Sequence, residues 1–438
     1  MKGYFGDEAL GIYEPASESE SPKIQDKYVQ PQKQSVIYDA VVLDAKLRQS
    51  LTTVRSLGRR GKKVAALETS SAIEKSKHVP TFSSRWCQEN SIVPTYEKQA
   101  EPFLTSLKQF LDKTSTRVLI SSSDEGIEIL RANRDAITQR GTHLALAKEA
   151  SLAIATRKDS TLEVAERLGL YIPRGVAITD VSEVSQALRE IGLPAVVKPN
   201  ESWLWGKKHG IRLTCKLVTT PEEARIAVQQ LTQNGGRVLF QQFLSGRQES
   251  ISLFYCRGEL YARFAQWTKR THPPLGGVST YRQSIALPED THAQAERLVR
   301  EIDLEGYSQI QFRRDSGGKP YLMEINPRLT SGIEIAVRAG IDFPYLSYQW
   351  ANEEPIDRIE TYRPGVKMRY LEGDLLTTLQ TFAQHGRPGV RSPARALTEF
   401  LASFFIPMGY DYFDWQDLRP VWSAVGETID HIWNRIFM

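Results

Sequence analysis

The chain has 438 residues, 41% hydrophobic and 25% charged, with 56 Lys and Arg against 52 Asp and Glu for a net charge of +4. That length exceeds one ordinary core and calls for two to four structural units of a water-soluble globular kind. The basic residues are spread rather than massed, which argues against a nucleic-acid partner. No apolar run reaches the ~18 residues of a membrane span.

The three cysteines, Cys87, Cys215 and Cys256, fit neither a disulfide framework nor a metal knuckle, so a reducing cytoplasm is the expected setting. Residues 1–35, with Ser-Glu-Ser-Glu-Ser at 17–21, hold too little apolar surface to offset ordering and read as a disordered tail without a signal-type apolar segment. Order begins with the short apolar run Val41-Val42-Leu43. Leu47, Leu51, Val54 and Leu57 follow at helical spacing, and Val64–Leu67 is the next strand. The pattern repeats at Val118–Ile120, with Asp124 opening a helix. Such βαβ units imply a parallel, Rossmann-like α/β domain over 36–150, although no GxGxxG follows its first strand.

From 151 the texture becomes α+β. Helices are predicted at 158–169 and 221–232, and strands at Ala195–Lys198, Arg237–Phe243, Ser250–Tyr255, Gln309–Phe312 and Tyr321–Ile325. Residues 346–438 form a C-terminal extension. Its stripe Val425, Ile429, Ile432, Trp433 and Ile436 is expected to dock on the protein's own body, with a partner or membrane surface as the rival reading.

Chemistry-bearing residues recur along 151–345. Lys158 opens a helix, where a cation and free N–H groups together favour a phosphate; a solvated first-turn Lys is the plain alternative. Lys198 ends an apolar strand and projects from the sheet, as a phosphate-neutralising point charge would. The loop carrying Trp203, Trp205, Gly206, Lys207, Lys208 and Gly210 suits either a phosphate cover or an exposed loop. Gln241, Gln242, Phe243 and Leu244 make a strand-to-hinge edge whose backbone N–H and C=O match an adenine. Glu249, just beyond, suits ribose hydroxyls, and an ordinary hairpin edge is the alternative.

The sharpest pattern is Gln311, a Ser316-Gly317-Gly318 turn, and then Glu324-Ile325-Asn326-Pro327-Arg328. Strand alternation puts Glu324 and Asn326 on one face, and the turn returns Gln311 opposite them. Oxygen donors of this kind beside phosphates suit Mg²⁺, and Arg328 would meet the transferred phosphoryl group or a carboxylate. Arg263, Lys269, Arg270, His272 and Arg282 surround a Pro-Pro-Leu-Gly-Gly loop. They form either a segment closing over substrate, with Arg270 and Arg282 as carboxylate contacts and His272 as a base, or a basic surface hairpin.

Together these motifs resemble the ATP-grasp superfamily over about residues 36–345, most closely its carbamoyl-phosphate-synthase-like and carboligase-like members. Glu-Ile-Asn-Pro-Arg with Gly332 and Gly340 is the most specific part. The resemblance implies a pre-ATP-grasp Rossmann-like domain and a two-lobed ATP-grasp domain at 151–345 (lobes about 151–236 and 237–345). It implies ATP with Mg²⁺ or Mn²⁺, Lys158, Lys198 and Lys207 on phosphates, residues 241–244 on adenine and Glu249 on ribose. Gln311, Glu324 and Asn326 would hold the metal, and Arg328, Arg270 and Arg282 would contact the reacting groups. It further implies phosphorylation of a small-molecule carboxylate and capture of the acyl phosphate by a nucleophile, usually an amine. Gln242 and Gln311 stand where many members carry acids, so a weakly active ATP-binding or regulatory protein stays open as an alternative. So do a kinase-like phosphoryl transferase and a homo-oligomer.

Overall fold

The computed structural model describes residues 37–437 apart from 97–99, 206–209, 234, 275 and 388–389. The predicted tail at 1–35 and the predicted phosphate contact Lys207 lie outside the described residues.

The first sheet is wholly parallel. Its strands, in spatial order, are Cys87–Val93, Val64–Thr69, Ala40–Val42, Val118–Ile120 and His143–Leu144. Ala40, Val41 and Val42 are fully buried, as a central strand covered on both faces requires. The turn after this strand holds Asp44 with positive φ, and its carboxylate accepts from Ser121 at 2.8 Å and from the Tyr96 hydroxyl at 3.2 Å. The C-terminal edge of the sheet is therefore polar where α/β sheets receive ligands.

The second sheet runs Lys216–Val218, Ala195–Pro199, Val238–Gln242, Gly175–Ile178, all antiparallel. Ala195, Val197, Val238 and Phe240 form one core with Ala224 and Val228 of the helix Pro221–Thr232. Alternation leaves Lys198, Leu239 and Gln241 on the other face.

The third sheet has seven strands: Pro320–Asn326, Gly306–Arg314, Gln248–Cys256, Glu259–His272, Val278–Ile285, Lys367–Arg369 and Gly409–Tyr410. Its pairs are antiparallel except the last. The C-terminal region thus extends this sheet with two strands and then returns to the first. Asp411 pairs with Arg48, Asp414 with Arg59, and Asp417 with Arg55 at 2.9 Å, all three arginines lying on the helix Arg48–Arg59.

The closing helix Arg419–Phe437 docks through positions other than Val425 and Ile429 of the expected stripe. Ala424 and Glu427 are buried, Lys46 lies 3.7 Å from Glu427, and the Ser76 hydroxyl donates to Asp430 at 2.7 Å. Trp422, Val425 and Ile429 are exposed, and the side chains of Ile432, Trp433 and Ile436 lie outside the described residues.

Burial pushes the Glu427 carboxyl from 4.5 up to about 7, against the opposing pull of Lys46. Glu68 is likewise pushed up to about 7 by burial and by Asp44. The folded chain keeps these protons while the unfolded chain releases them. Their contribution to stability is therefore whole below about pH 4.5 and lost as pH rises to about 7. Glu427→Gln removes one such group. Its melting temperature should fall less between about pH 5 and pH 8 than that of the unaltered chain. The difference should be on the order of 2 kcal/mol by calorimetry.

Candidate functional site

The strand Pro320–Asn326 turns Glu324 and Asn326 to one face, while Leu322 and Ile325 enter the core. Register sets Gln311 opposite Glu324 and Gln309 opposite Asn326. The Asn326 amide donates to Glu324 at 3.4 Å, and that of Gln311 to Gln309 at 3.4 Å. One carboxylate among amides thus forms a patch of hard oxygen donors. Among the described residues no group of three or more His, Cys, Asp or Glu could hold a metal alone. The donors fit a Mg²⁺ that takes most of its ligands from phosphate and water.

Two cations face this patch. Lys198 is buried on the open face of the second sheet, and burial lowers its pKa. Cys215 and Glu324 act the other way, while Lys158 and Arg313 reinforce the lowering. Lys158 starts the helix Lys158–Arg167, its backbone N–H donates to Asn200 C=O at 3.1 Å, and its ammonium reaches Ser202 at 3.5 Å. A cavity lined by Asp124, Lys158, Glu201, Trp203, Glu324 and Asn326 joins the three sheets' contributions. Arg313 and Cys215 had no sequence signal: neither belongs to a motif, and only the fold brings them to Lys198.

At the hinge, Gln241 is buried on the Lys198 face, and the Gln242 N–H donates to Arg174 C=O at 2.9 Å. The Gln242 side chain accepts from Arg174 at 3.0 Å, Phe243 lies under Arg313, and Leu244 is buried. Gly246 passes so close to Arg314 that a Cβ would stand 2.2 Å from its carbonyl oxygen. Here the structure corrects one expectation. Glu249 pairs opposite Phe312 and belongs to the core face, where Arg314 donates to its two oxygens at 3.1 and 2.9 Å and Arg247 sits 3.1 Å away. Both carboxylate oxygens are taken, so Glu249 does not face a ribose. Gln248, one residue earlier, is on the Glu324 face and donates to Gln311 at 3.4 Å.

Arg328 is held by both oxygens of Asp124, a residue that lines the cavity, the second bond being 3.0 Å. Burial alone would lower its pKa, but Asp124 and Glu324 raise it above the usual guanidinium range. Arg270 and Arg282 do not present free guanidinium groups. Arg270 donates to both oxygens of Asp374 at 2.5 and 2.6 Å, and Arg282, wholly buried, donates to Asp411. Each expected carboxylate contact is thus committed to a buried acid from the C-terminal region.

Two measurements separate these placements. Gln248→Ala should weaken ATP in calorimetric titration by roughly 1 kcal/mol, the usual size of one neutral hydrogen bond. Glu249→Ala should instead destabilise the fold by about 3 kcal/mol, because it leaves Arg314 and Arg247 facing an emptied buried position. Cys215 is the exposed cysteine, Cys87 being partly covered and Cys256 buried. MgATP should slow its alkylation several-fold, read by peptide mass spectrometry, whereas adenosine should protect it far less.

The comparisons with known proteins agree with this geometry. Residues 236–374 match the family described as "ATP-grasp in the biosynthetic pathway with Ter operon". D-alanine–D-alanine ligase of Ectopseudomonas mendocina is 26% identical over 208 residues, 44% of this chain and 64% of that one, so the chain spans less than two thirds of that relative. In structure, biotin carboxylase of Campylobacter jejuni, solved as a beta-gamma-ATP complex, superposes with TM-score 0.59 at 13% identity, covering 75% of this chain and 74% of that one. An L-amino acid ligase of Bacillus licheniformis gives TM-score 0.58 at 18% identity, covering 75% and 78%. A parallel first sheet followed by two antiparallel sheets is the fold these structures share, and the central segment 236–374 is similar in sequence to an ATP-grasp family.

Proposed function

We propose that the protein is an ADP-forming ligase joining a small-molecule carboxylate to an amine. The observation that carries this reading is the cavity lined by Glu324, Asn326, Lys158 and Asp124, with Gln311 opposite Glu324, Lys198 close to Glu324 and Lys158, and Arg328 held by Asp124. A carboxylate oxygen would attack the γ-phosphorus while the bond to the bridging oxygen of ADP breaks. The amine nitrogen would then attack the acyl carbon, phosphate would leave, and the nitrogen would lose its proton to give an amide. Such transfer depends on positioning and charge neutralisation more than on acid–base groups.

Each residue has a role of its own. Lys198 and Lys158 neutralise phosphate oxygens, and backbone groups at 243–244 meet the base. Arg328, aimed by Asp124, orients the carboxylate or the transferred phosphoryl group. Glu324, Asn326 and Gln311 would hold Mg²⁺, which when bound supplies charge neutralisation at the triphosphate. Asp124, Glu128 and Glu201 line the same cavity and favour a substrate that carries an ammonium group. This agrees with relatives named for joining amino acids.

The test is an ADP-release screen with pooled amino acids, peptides and sugar acids, followed by product mass. An amide product is expected; a phosphate ester would indicate a kinase instead, and ATP binding without ADP release a regulatory protein. With the substrate found, Glu324→Ala and Asn326→Ala should each lower turnover by at least about a hundredfold, several kcal/mol of lost charge stabilisation. Both side chains are only partly buried, so melting temperatures should stay within a few degrees.

A further inference from the structure

The helix Leu371–Ala383 is amphipathic in the reverse sense. It lies on the seven-stranded sheet through Gly373, Asp374, Thr377, Thr378 and Thr381, all buried. The hydroxyls there are satisfied internally: Thr377 donates to Thr271 C=O at 2.9 Å and Gly373 C=O at 2.7 Å, and Thr378 to Asp374 C=O at 2.8 Å. The apolar side chains Leu371, Leu375, Leu379 and Phe382, at i, i+4, i+8 and i+11, point to solvent, Leu379 and Phe382 being 55% exposed.

The next helix, Pro393–Ala402, packs beside it and buries only Ala396 and Phe400. It leaves Leu397 and Leu401 outward, and the 3-10 turn Ser403–Phe405 that follows does the same with Phe404 and Phe405, Phe405 being 90% exposed. A helix that buries threonines and exposes leucines is a poor solution for an isolated chain, and contiguous apolar patches of this size mark interfaces.

We infer that this helical hairpin is the dimer interface of the protein, stacking on the same hairpin of a second copy into a four-helix layer. Two observations select that occupant. At 38–90% exposure, and roughly 200 Å² for each whole side chain, the patch offers on the order of 800 Å². That is about what one partner contributes to a stable protein–protein interface. The basic side chains at its rim are largely paired, three arginines against two glutamates. Arg387 bonds Glu223 at 2.9 Å, and Arg391 and Arg395 both pair with Glu399. Little free positive charge remains to attract an anionic lipid surface or an acidic peptide. A charge-poor apolar stripe meeting its own copy about a twofold axis satisfies both facts.

Sedimentation equilibrium of the full chain at micromolar concentration should return twice the monomer mass of 49.6 kDa. Leu379→Glu combined with Leu401→Glu should return the monomer, with circular dichroism and ATP binding unchanged. Phe405→Glu, at a side chain that packs on almost nothing within the monomer, should raise the dimer dissociation constant roughly tenfold or more. An unaltered chain that is monomeric at about 50 μM overturns the proposal. So does a dimer indifferent to Phe405→Glu and to the double substitution. A monomer captured by phosphatidylcholine–phosphatidylglycerol vesicles, and released by Phe405→Glu, overturns it in favour of a lipid surface. ATP binding is read in parallel, so failure here leaves the ligase reading untouched, and failure of that reading leaves the dimer untouched.

Discussion

Asp411 is the point on which the arrangement of the sheets depends. Its buried carboxylate takes Arg48 from the first crossover helix and Arg282 from the middle of the seven-stranded sheet, while the residue itself belongs to the C-terminal region. Burying such a cluster costs desolvation that its mutual attraction only partly offsets, yet removing one partner strands the others at a cost of about 3–5 kcal/mol. A net of this kind contributes little to overall stability, but it penalises every arrangement that separates the three segments. Asp374 repeats the device, drawing Arg270 and Arg369 onto one carboxylate beneath the helical hairpin. With Arg328 tied to Asp124 at the cleft, the first sheet and the oxygen-donor strand are held at both ends of their contact. A cleft that positions phosphates needs that rigidity more than it needs the energy.

The same net explains which parts of the site were legible in the sequence. Glu324 and Asn326 were readable because a strand alternates by two and the irregularity in its pairing falls before Glu324, at Met323. Glu249 was not, because the chain between Phe243 and Arg247 lies outside any strand. Counting from the hinge then carries no parity, and a shift of one residue exchanges the ligand face for the core. Gln248 and Glu249 differ by that single step. Arg270 and Arg282 looked like free cations because no acid stands near them in sequence, none occurring between Glu259 and Glu289. Their acids stand 104 and 129 residues away, and no local pattern announces such a partner.

The elements of the fold show the same division. The three central strands of the parallel first sheet were legible from short apolar runs alternating with helical periods, as burial on both faces requires, whereas the edge strands Cys87–Val93, largely polar, and His143–Leu144, two residues long, were not. The region after 346 was not. Its strands Lys367–Arg369 and Gly409–Tyr410 are too short to show a period, and they exist because the edge of a large sheet was open to them. The helix Leu371–Ala383 has a clear apolar stripe, and a sequence reader would turn that stripe inward. The sheet below it is studded with Arg270, Thr280 and Arg282, so the threonine and aspartate face is the one that fits. Polar demand from the partner surface, not helix hydrophobicity, decides which side is buried.

On the proposed reading, the charge balance at the cleft also accounts for the amide Gln311 where acids are common. Arg328 is already neutralised by Asp124, and Glu128 and Glu201 are paired with Arg131 and Arg157, which leaves Lys158 and Lys198 against Glu324. An acid at Gln311 as well would cancel the remaining positive charge of the empty cleft and weaken its attraction for the triphosphate it must admit. Amide oxygens keep the hard donors and drop the charge. The consequence is weak attraction for a bare divalent ion and strong attraction for a polyanion that brings its own ion with it. Metal and nucleotide would then enter together, and affinity for either would be set by the two lysines more than by the oxygen face.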